Sequence, residues 1–253
     1  MNREWKEGFI AGIPIFLGYL SVSFGIGILA SGAGMTVWEA VLMSAANLTS
    51  AGQVAGIEII AQAGSVLEVI ATQFVINLRY ALMALSLSQK IDDSFHTPQR
   101  LAASFGITDE IFALCIAREK KVSPGYMGGI IVISASGWVL GTFLGAAAGE
   151  ILPASLTAAM GIMLYGMFVA IVLPVARKSR RVMAVSLIAC AMSCLFRYVF
   201  TAVSSGFAVI ICAIASSVLG AAFFPAPDEE MGKEDVPGTD AASDSRKRKE
   251  ARP

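Results

Sequence analysis

The chain has 253 residues, of which 56% are hydrophobic and 15% charged, with a formal net charge of zero. Fourteen of its 38 Asp, Glu, Lys and Arg residues lie in 225–253, so the first 224 residues fall to less than half the roughly 25% charge of a soluble domain. Such a body cannot cover itself in water, and with no basic domain nothing points to a nucleic-acid partner. The class expected is an all-α polytopic membrane protein in the lipid bilayer. It divides into a short N-terminal segment (1–7), a bundle of seven or eight transmembrane segments (8–224), some discontinuous, and a disordered charged tail (225–253).

Residues 8–30 carry no charge but hold Gly8, Gly12, Pro14, Gly18, Gly25 and Gly27. The run is too long for a signal-peptide core and reads as the first span. Its glycines suit either a broken helix lining a cavity or close packing through Gly8 and Gly12. Residues 36–62 form a second segment interrupted at 47–53, where Asn47, Thr49, Ser50 and Gln53 surround Gly52, with Glu58 beyond. Polar groups at that depth must be satisfied by protein or water, so this is either an interhelical hydrogen-bond network or a substrate-lining break.

The third segment, 65–88, contains Glu68, Gln73, Asn77 and Arg79. An arginine at the centre of a span costs about 2.5–3.5 kcal/mol on the insertion scale, so it faces an interior partner or snorkels to the interface. Gln73 and Asn77 share a helix face, whereas Arg79 points about 160° from Asn77. The candidate partner for Arg79 is Thr108-Asp109-Glu110, in the middle of 101–117. Seventeen residues make only about 25 Å of helix, and Gly106 precedes the acids. Residues 101–117 therefore read as a discontinuous helix capped by Thr108 or Asp109, or as an interfacial amphipathic helix. His96, the one histidine, lies in the preceding polar loop.

Residues 124–149 form an uncharged span with Gly137, Gly141, Gly145 and Gly149 on one stripe, a packing face. Residues 151–176 form another; 182–204, with Arg197 inside, and 206–224 complete the set. Basic clusters at 118–121, 177–181 and 246–249 are separated by pairs of spans and so share one side, cytoplasmic by the positive-inside rule. Eight crossings keep both termini there, with Lys90 and Arg100 flanking an outer loop; seven would place the N-terminus outside. Cys115, Cys190, Cys194 and Cys212 read as small buried side chains, and no metal or cofactor site is expected. No zinc, Walker or nucleophile-elbow motif occurs, so no enzyme activity is expected.

Gly12-Ile13-Pro14 with Gly18-Tyr19, Ser44 with Ala51-Gly52-Gln53, Asn77-Leu78-Arg79-Tyr80 and Ile107-Thr108-Asp109-Glu110-Ile111-Phe112-Ala113 together resemble the AzlC family of branched-chain amino acid permeases. A weaker echo is Tyr165-Gly166-Met167-Phe168-Val169-Ala170. The resemblance covers about residues 7–224; the charged tail and Ser21, where the family pattern has Pro, depart from it. It implies a multi-pass transporter of the bacterial inner membrane that exports valine, isoleucine and leucine, and in some members methionine. The family works with a small AzlD-type membrane subunit. A zwitterionic substrate needs a cationic group for its carboxylate, which Arg79 or a half-helix N-terminus supplies. Asp109 or Glu110 suits its ammonium or a coupled proton. Asn77, Thr108, Asn47 and Gln53 complete the candidate set, with Glu58 and Arg197 as outliers. The competing expectation is a non-transporting assembly or regulatory subunit whose polar islands lock helices together.

Overall fold

The computed structural model describes residues 3–152, 172–200 and 202–224, with the single positions 155, 166 and 169. Helix α1 (Arg3–Ala11) runs almost straight into α2 (Ile13–Gly32): Gly12 keeps helical dihedrals, its N–H donates to Gly8 O at 3.0 Å, and Phe16 N–H donates to Gly12 O at 2.9 Å. Pro14 sits in the first turn of α2, where a missing N–H costs least. Together the two helices lie along α8 (Pro124–Ile151). A Cβ placed on Gly8 would meet Tyr126 O at 2.0 Å, one on Gly137 would meet Phe16 O at 2.6 Å, and one on Gly145 would meet Phe24 O at 2.0 Å. The paired numbers rise together, so the helices are parallel. Glycines on both sides of the seam let backbone touch backbone.

Helix α5 (Val66–Ser88) runs the opposite way. Ser65 caps its start, and past its end Asp92 N–H donates to Val122 O and Val122 N–H to Lys90 O, both at 3.0 Å. The end of α5 therefore lies beside the starts of α1 and α8, which we call the basic end. The opposite, far end holds the end of α2 and the start of α5.

Two broken helices enter between these spans from opposite ends. Helices α3 (Val37–Ala46) and α4 (Ser50–Ala61) start and finish at the far end and meet at a tip, residues 47–49. The chain folds back there, because Gln53 Nε2 donates to Ser44 Oγ at 2.5 Å and a Cβ on Gly56 would meet Met43 Cε at 2.6 Å. Helices α6 (Thr97–Phe105) and α7 (Asp109–Ala117) start and finish at the basic end, with a tip at residues 106–108. Arg118, just past α7, is held by Glu4 at 2.7 Å and lies over the Tyr126 ring. Hydrogen bonds from Arg118 and Ser123 hold the Glu4 carboxyl below the usual carboxylate range. Each hairpin rests on its own apolar cluster: Tyr19, Ile26, Ile57 and Trp138 for the first, Phe95, Ile111, Val122 and Met127 for the second.

Helices α9 (Arg180–Tyr198) and α10 (Ser205–Phe223) form an antiparallel pair, with Gly220 against Val185. The buried Glu68 carboxylate accepts from Gly206 N–H at 2.9 Å, which fixes the start of α10 at the far end and the start of α9 at the basic end.

The all-α polytopic bundle with discontinuous segments is the architecture observed. Five described helices, α2, α5, α8, α9 and α10, are long and apolar enough to cross a membrane. Residues 36–62 and 101–117 turn back at their tips. Lys90 and Arg100 therefore lie at the basic end with residues 118–121 and not on an outer loop. Cys115 and Cys212 are buried, but Cys190 and Cys194 are exposed, since α9 packs chiefly on α10 among the described residues. Most of 151–176, including the Tyr165 to Ala170 echo, and the tail 225–253 lie outside the described residues.

Candidate functional site

The two hairpin tips meet halfway along the bundle. Thr49 caps α4 by accepting from Gly52 N–H at 3.4 Å, and Thr108 caps α7 by accepting from Ile111 N–H at 3.4 Å. Each cap leaves first-turn N–H groups without intrahelical partners, so each helix presents about half a positive charge at its tip. A cavity of about 340 Å³ opens beside them, within the usual 300–1,000 Å³ range of small-molecule sites. Pro14, Ile15, Val22, Leu48 and Trp138 give it an apolar wall; Ser50, Arg79, Asp109 and Glu110 give it a polar one.

Arg79 reaches across from α5 to Asp109, Nη1 to Oδ2, at 2.8 Å, with both side chains close to half exposed. Its guanidinium also lies 5.0 Å from the centre of the Tyr80 ring. The Tyr19 hydroxyl lies 2.6 Å from both Thr108 Oγ1 and Glu110 Oε2. Its one proton lies between these two acceptors. The Tyr19 ring stands edge-on to Trp138, with centroids 5.2 Å apart. Four helices thus converge on the acidic tip.

A second network holds the other tip. Trp138 Nε1 donates to Gln53 Oε1 at 3.0 Å and to Asn47 O at 3.2 Å, and Ser44 Oγ pairs with Thr142 Oγ1 at 2.6 Å. Gln73 Nε2 donates to Gly52 O at 2.6 Å, and Gln73 Oε1 accepts from Asn47 Nδ2 at 3.2 Å and Asn77 Nδ2 at 3.1 Å. Asn47 Oδ1 in turn accepts from Thr49 N–H at 3.2 Å. Asn47, Gln53 and Asn77 therefore brace the tip of the first hairpin.

Arg79, Asp109, Glu110 and Thr108 come together around the cavity. Asn77 and Arg79 serve different faces of α5, as their spacing requires. Glu58 and Arg197 lie elsewhere, in a cavity of about 650 Å³ between the end of α4 and the α9–α10 pair. Sequence reasoning left out Tyr19, Tyr80, Trp138 and Gln73. Tyr19 and Tyr80 stand inside the motifs Gly18-Tyr19 and Arg79-Tyr80, which was the available signal. Trp138, a lone indole in a glycine-rich span, gave none.

One polar wall that offers the α4 N-terminus and a guanidinium beside two carboxylates at the start of α7 can hold a molecule bearing both charges. The apolar wall can take an aliphatic side chain.

Known proteins bear on this site. The family profile described as AzlC protein matches residues 14–152. The inner membrane protein YgaZ of Escherichia coli (strain K12) is 28% identical over 237 residues, 90% of this chain and 95% of that one. An uncharacterized membrane protein of Archaeoglobus fulgidus is 30% identical over 175 residues, 68% of this chain and 76% of its own. One from Helicobacter pylori (strain J99) is 30% identical over 152 residues, 58% and 65% of the two chains. No solved structure matches the chain. The matched region runs from Pro14 to Leu152 and so takes in both hairpins, the cavity and the parallel helix pair: the chain belongs to the AzlC family of membrane proteins.

Proposed function

We propose that this chain is a secondary transporter, not an enzyme, that exports branched-chain amino acids of the valine, isoleucine and leucine class, with methionine as a further candidate. In this reading it is coupled to an ion and works with a small AzlD-type membrane subunit. The observation that carries the reading is the meeting of two half-helix N-termini, Arg79 and the Asp109–Glu110 pair around one half-apolar cavity at mid-depth. Broken helices entering from opposite ends are a recurrent way to build a solute site within a membrane. The substrate carboxylate docks at Ser50 on α4 and at Arg79, the ammonium at Asp109 or Glu110, and the aliphatic chain against Ile15, Val22 and Trp138. The relative YgaZ is an inner membrane protein by name, which supports the same location here. The basic residues gathered at one end, against connections without Lys or Arg at the other, support a cytoplasmic basic end and C-terminus.

The test is valine efflux from liposomes holding the chain with and without the small subunit, using Arg79→Ala and Asp109→Asn variants that still insert. Losing a charge-assisted contact worth about 1.5–3 kcal/mol lowers efflux roughly 10- to 100-fold. Parental efflux in both variants overturns the assignment. The 2.8 Å ion pair also favours a second reading, a non-transporting assembly or regulatory subunit in which Arg79 and Asp109 are a structural lock. That reading requires no valine flux in any reconstitution.

A further inference from the structure

Asp109 and Glu110 adjoin in sequence but keep different company. Asp109 is paired with the Arg79 guanidinium at 2.8 Å. Glu110 meets hydroxyls: its Oε2 lies 2.6 Å from the Tyr19 hydroxyl oxygen, which lies 2.6 Å from Thr108 Oγ1. Tyr19 and Thr108 are buried, while Glu110 is exposed and lines the cavity, where a proton has access to it. Among the described residues, the other ionisable groups around that cavity are Arg79, Asp109 and Tyr80. The Tyr80 hydroxyl accepts from Arg79 Nη2 at 3.3 Å.

The protons in this chain of three oxygens separate the two carboxyls. Two O···O contacts at hydrogen-bond distance need a proton each. Tyr19 brings one, so the other comes from an end of the chain. With Glu110 ionised, Tyr19 donates to it and the Thr108 hydroxyl turns its own proton to Tyr19. With Glu110 protonated, the carboxyl donates to Tyr19 and Tyr19 to Thr108, whose oxygen also takes Ile111 N–H. Both directions use the same oxygen positions, and neither leaves a buried hydroxyl unpaired. Asp109 lacks that freedom, because protonating it strands the Arg79 charge at mid-depth. One guanidinium against two carboxylates leaves the tip with an excess negative charge. A proton on Glu110 cancels it; an amino acid zwitterion, with no net charge, does not.

We infer that Tyr19, Thr108 and Glu110 form a proton-binding site, set apart from the Arg79–Asp109 pair, and that the proton is the ion coupled to export. The coupling role rests on the transporter reading above; the proton site does not. Asp109 then takes the substrate ammonium, and that positive charge beside Glu110 favours its carboxylate. The carboxyl O–H breaks, its electron pair stays on Glu110, and the proton leaves to water. By linkage a bound proton weakens substrate binding equally, so amino acid and proton take turns at the tip.

Two measurements test the coupling. In weakly buffered solution with a pH dye, valine added to the purified full-length chain is expected to release about one proton per valine bound. In liposomes a pH gradient of one unit is expected to drive valine accumulation up to about tenfold. Glu110→Gln, which cannot take up a proton, is expected to release none and to bring steady-state accumulation, which does not depend on rate, to a ratio of one. Parental proton release or accumulation in Glu110→Gln overturns the inference, as does valine binding by the parent with no proton released. Infrared titration reads the site without valine. A protonated-carboxyl band is expected to grow as pH falls, to vanish in Glu110→Gln and to shift in Tyr19→Phe. A band that survives unchanged in Glu110→Gln overturns the site. That band without any valine binding or flux would sink the transporter reading and keep the proton site; valine flux with a band and coupling indifferent to Glu110→Gln would do the reverse.

Discussion

Gly145→Ala is the sharpest probe of the parallel helix pair that carries both hairpins. The added Cβ would fall 2.0 Å from Phe24 O, 2.7 Å from Phe24 C and 2.9 Å from Phe24 Cα, all of them backbone atoms that cannot rotate away. Ordinary contact begins at 3.4 Å, so α2 and α8 must part locally by more than 1 Å. Gly141 and Gly149 extend the same contact one turn either side, with Cβ approaches of 2.1 and 2.7 Å, so the strain cannot be confined to one turn. Overpacking of this kind costs about 1–3 kcal/mol, of which the better helix propensity of alanine returns at most about 1. The expected net loss of about 1–2 kcal/mol lowers the apparent Tm of the detergent-solubilised protein by roughly 2–8 °C. Gly18→Ala is the control: its Cβ meets nothing within 4 Å, so its Tm should hold or rise. A Gly145→Ala protein as stable as the parent, or one that loses no more than Gly18→Ala, would refute the backbone-to-backbone seam.

Glu68→Leu removes the acceptor at the start of α10 and should cost about 1–3 kcal/mol, whereas Glu68→Gln keeps an acceptor and should cost less; equal Tm losses would argue against the cap. The placement of the hairpins can be read by thiol labelling in a background whose four native cysteines are replaced. With a membrane-impermeant maleimide on intact cells, Gln62→Cys should label and Ser94→Cys should not. The opposite result inverts the orientation.

Hydropathy alone located the apolar segments that fall within the described residues, and the half-turn between Asn77 and Arg79 followed from helix geometry. Spacing between basic clusters could not tell a crossing from a return. A stretch such as 36–62 has the same composition whether it runs straight or folds back, and the difference rests on three tip residues and a Ser44–Gln53 contact. The role of Glu68 was hidden for a related reason. A carboxylate in the first turn of α5 reads as a complement to its own helix, yet its partner is a backbone N–H 138 residues later. Trp138 was invisible, and the role of Tyr19 unread despite its motif, because aromatic side chains in a span look like lipid-facing or packing residues until their polar atoms find partners.

The meeting of the tips also constrains how the chain is made. Residues 47–49 leave the ribosome long before residues 106–108, and an unwound tip in hydrocarbon exposes backbone groups at several kcal/mol each. The first hairpin therefore has no stable home at mid-depth until α5, the second hairpin and α8 have been synthesised, since Trp138 supplies the donor that holds Asn47 O and Gln53. Its insertion at mid-depth therefore waits for α8. A chain truncated before α8 should leave residues 37–61 at the membrane surface, exposed to protease from the side on which α2 ends.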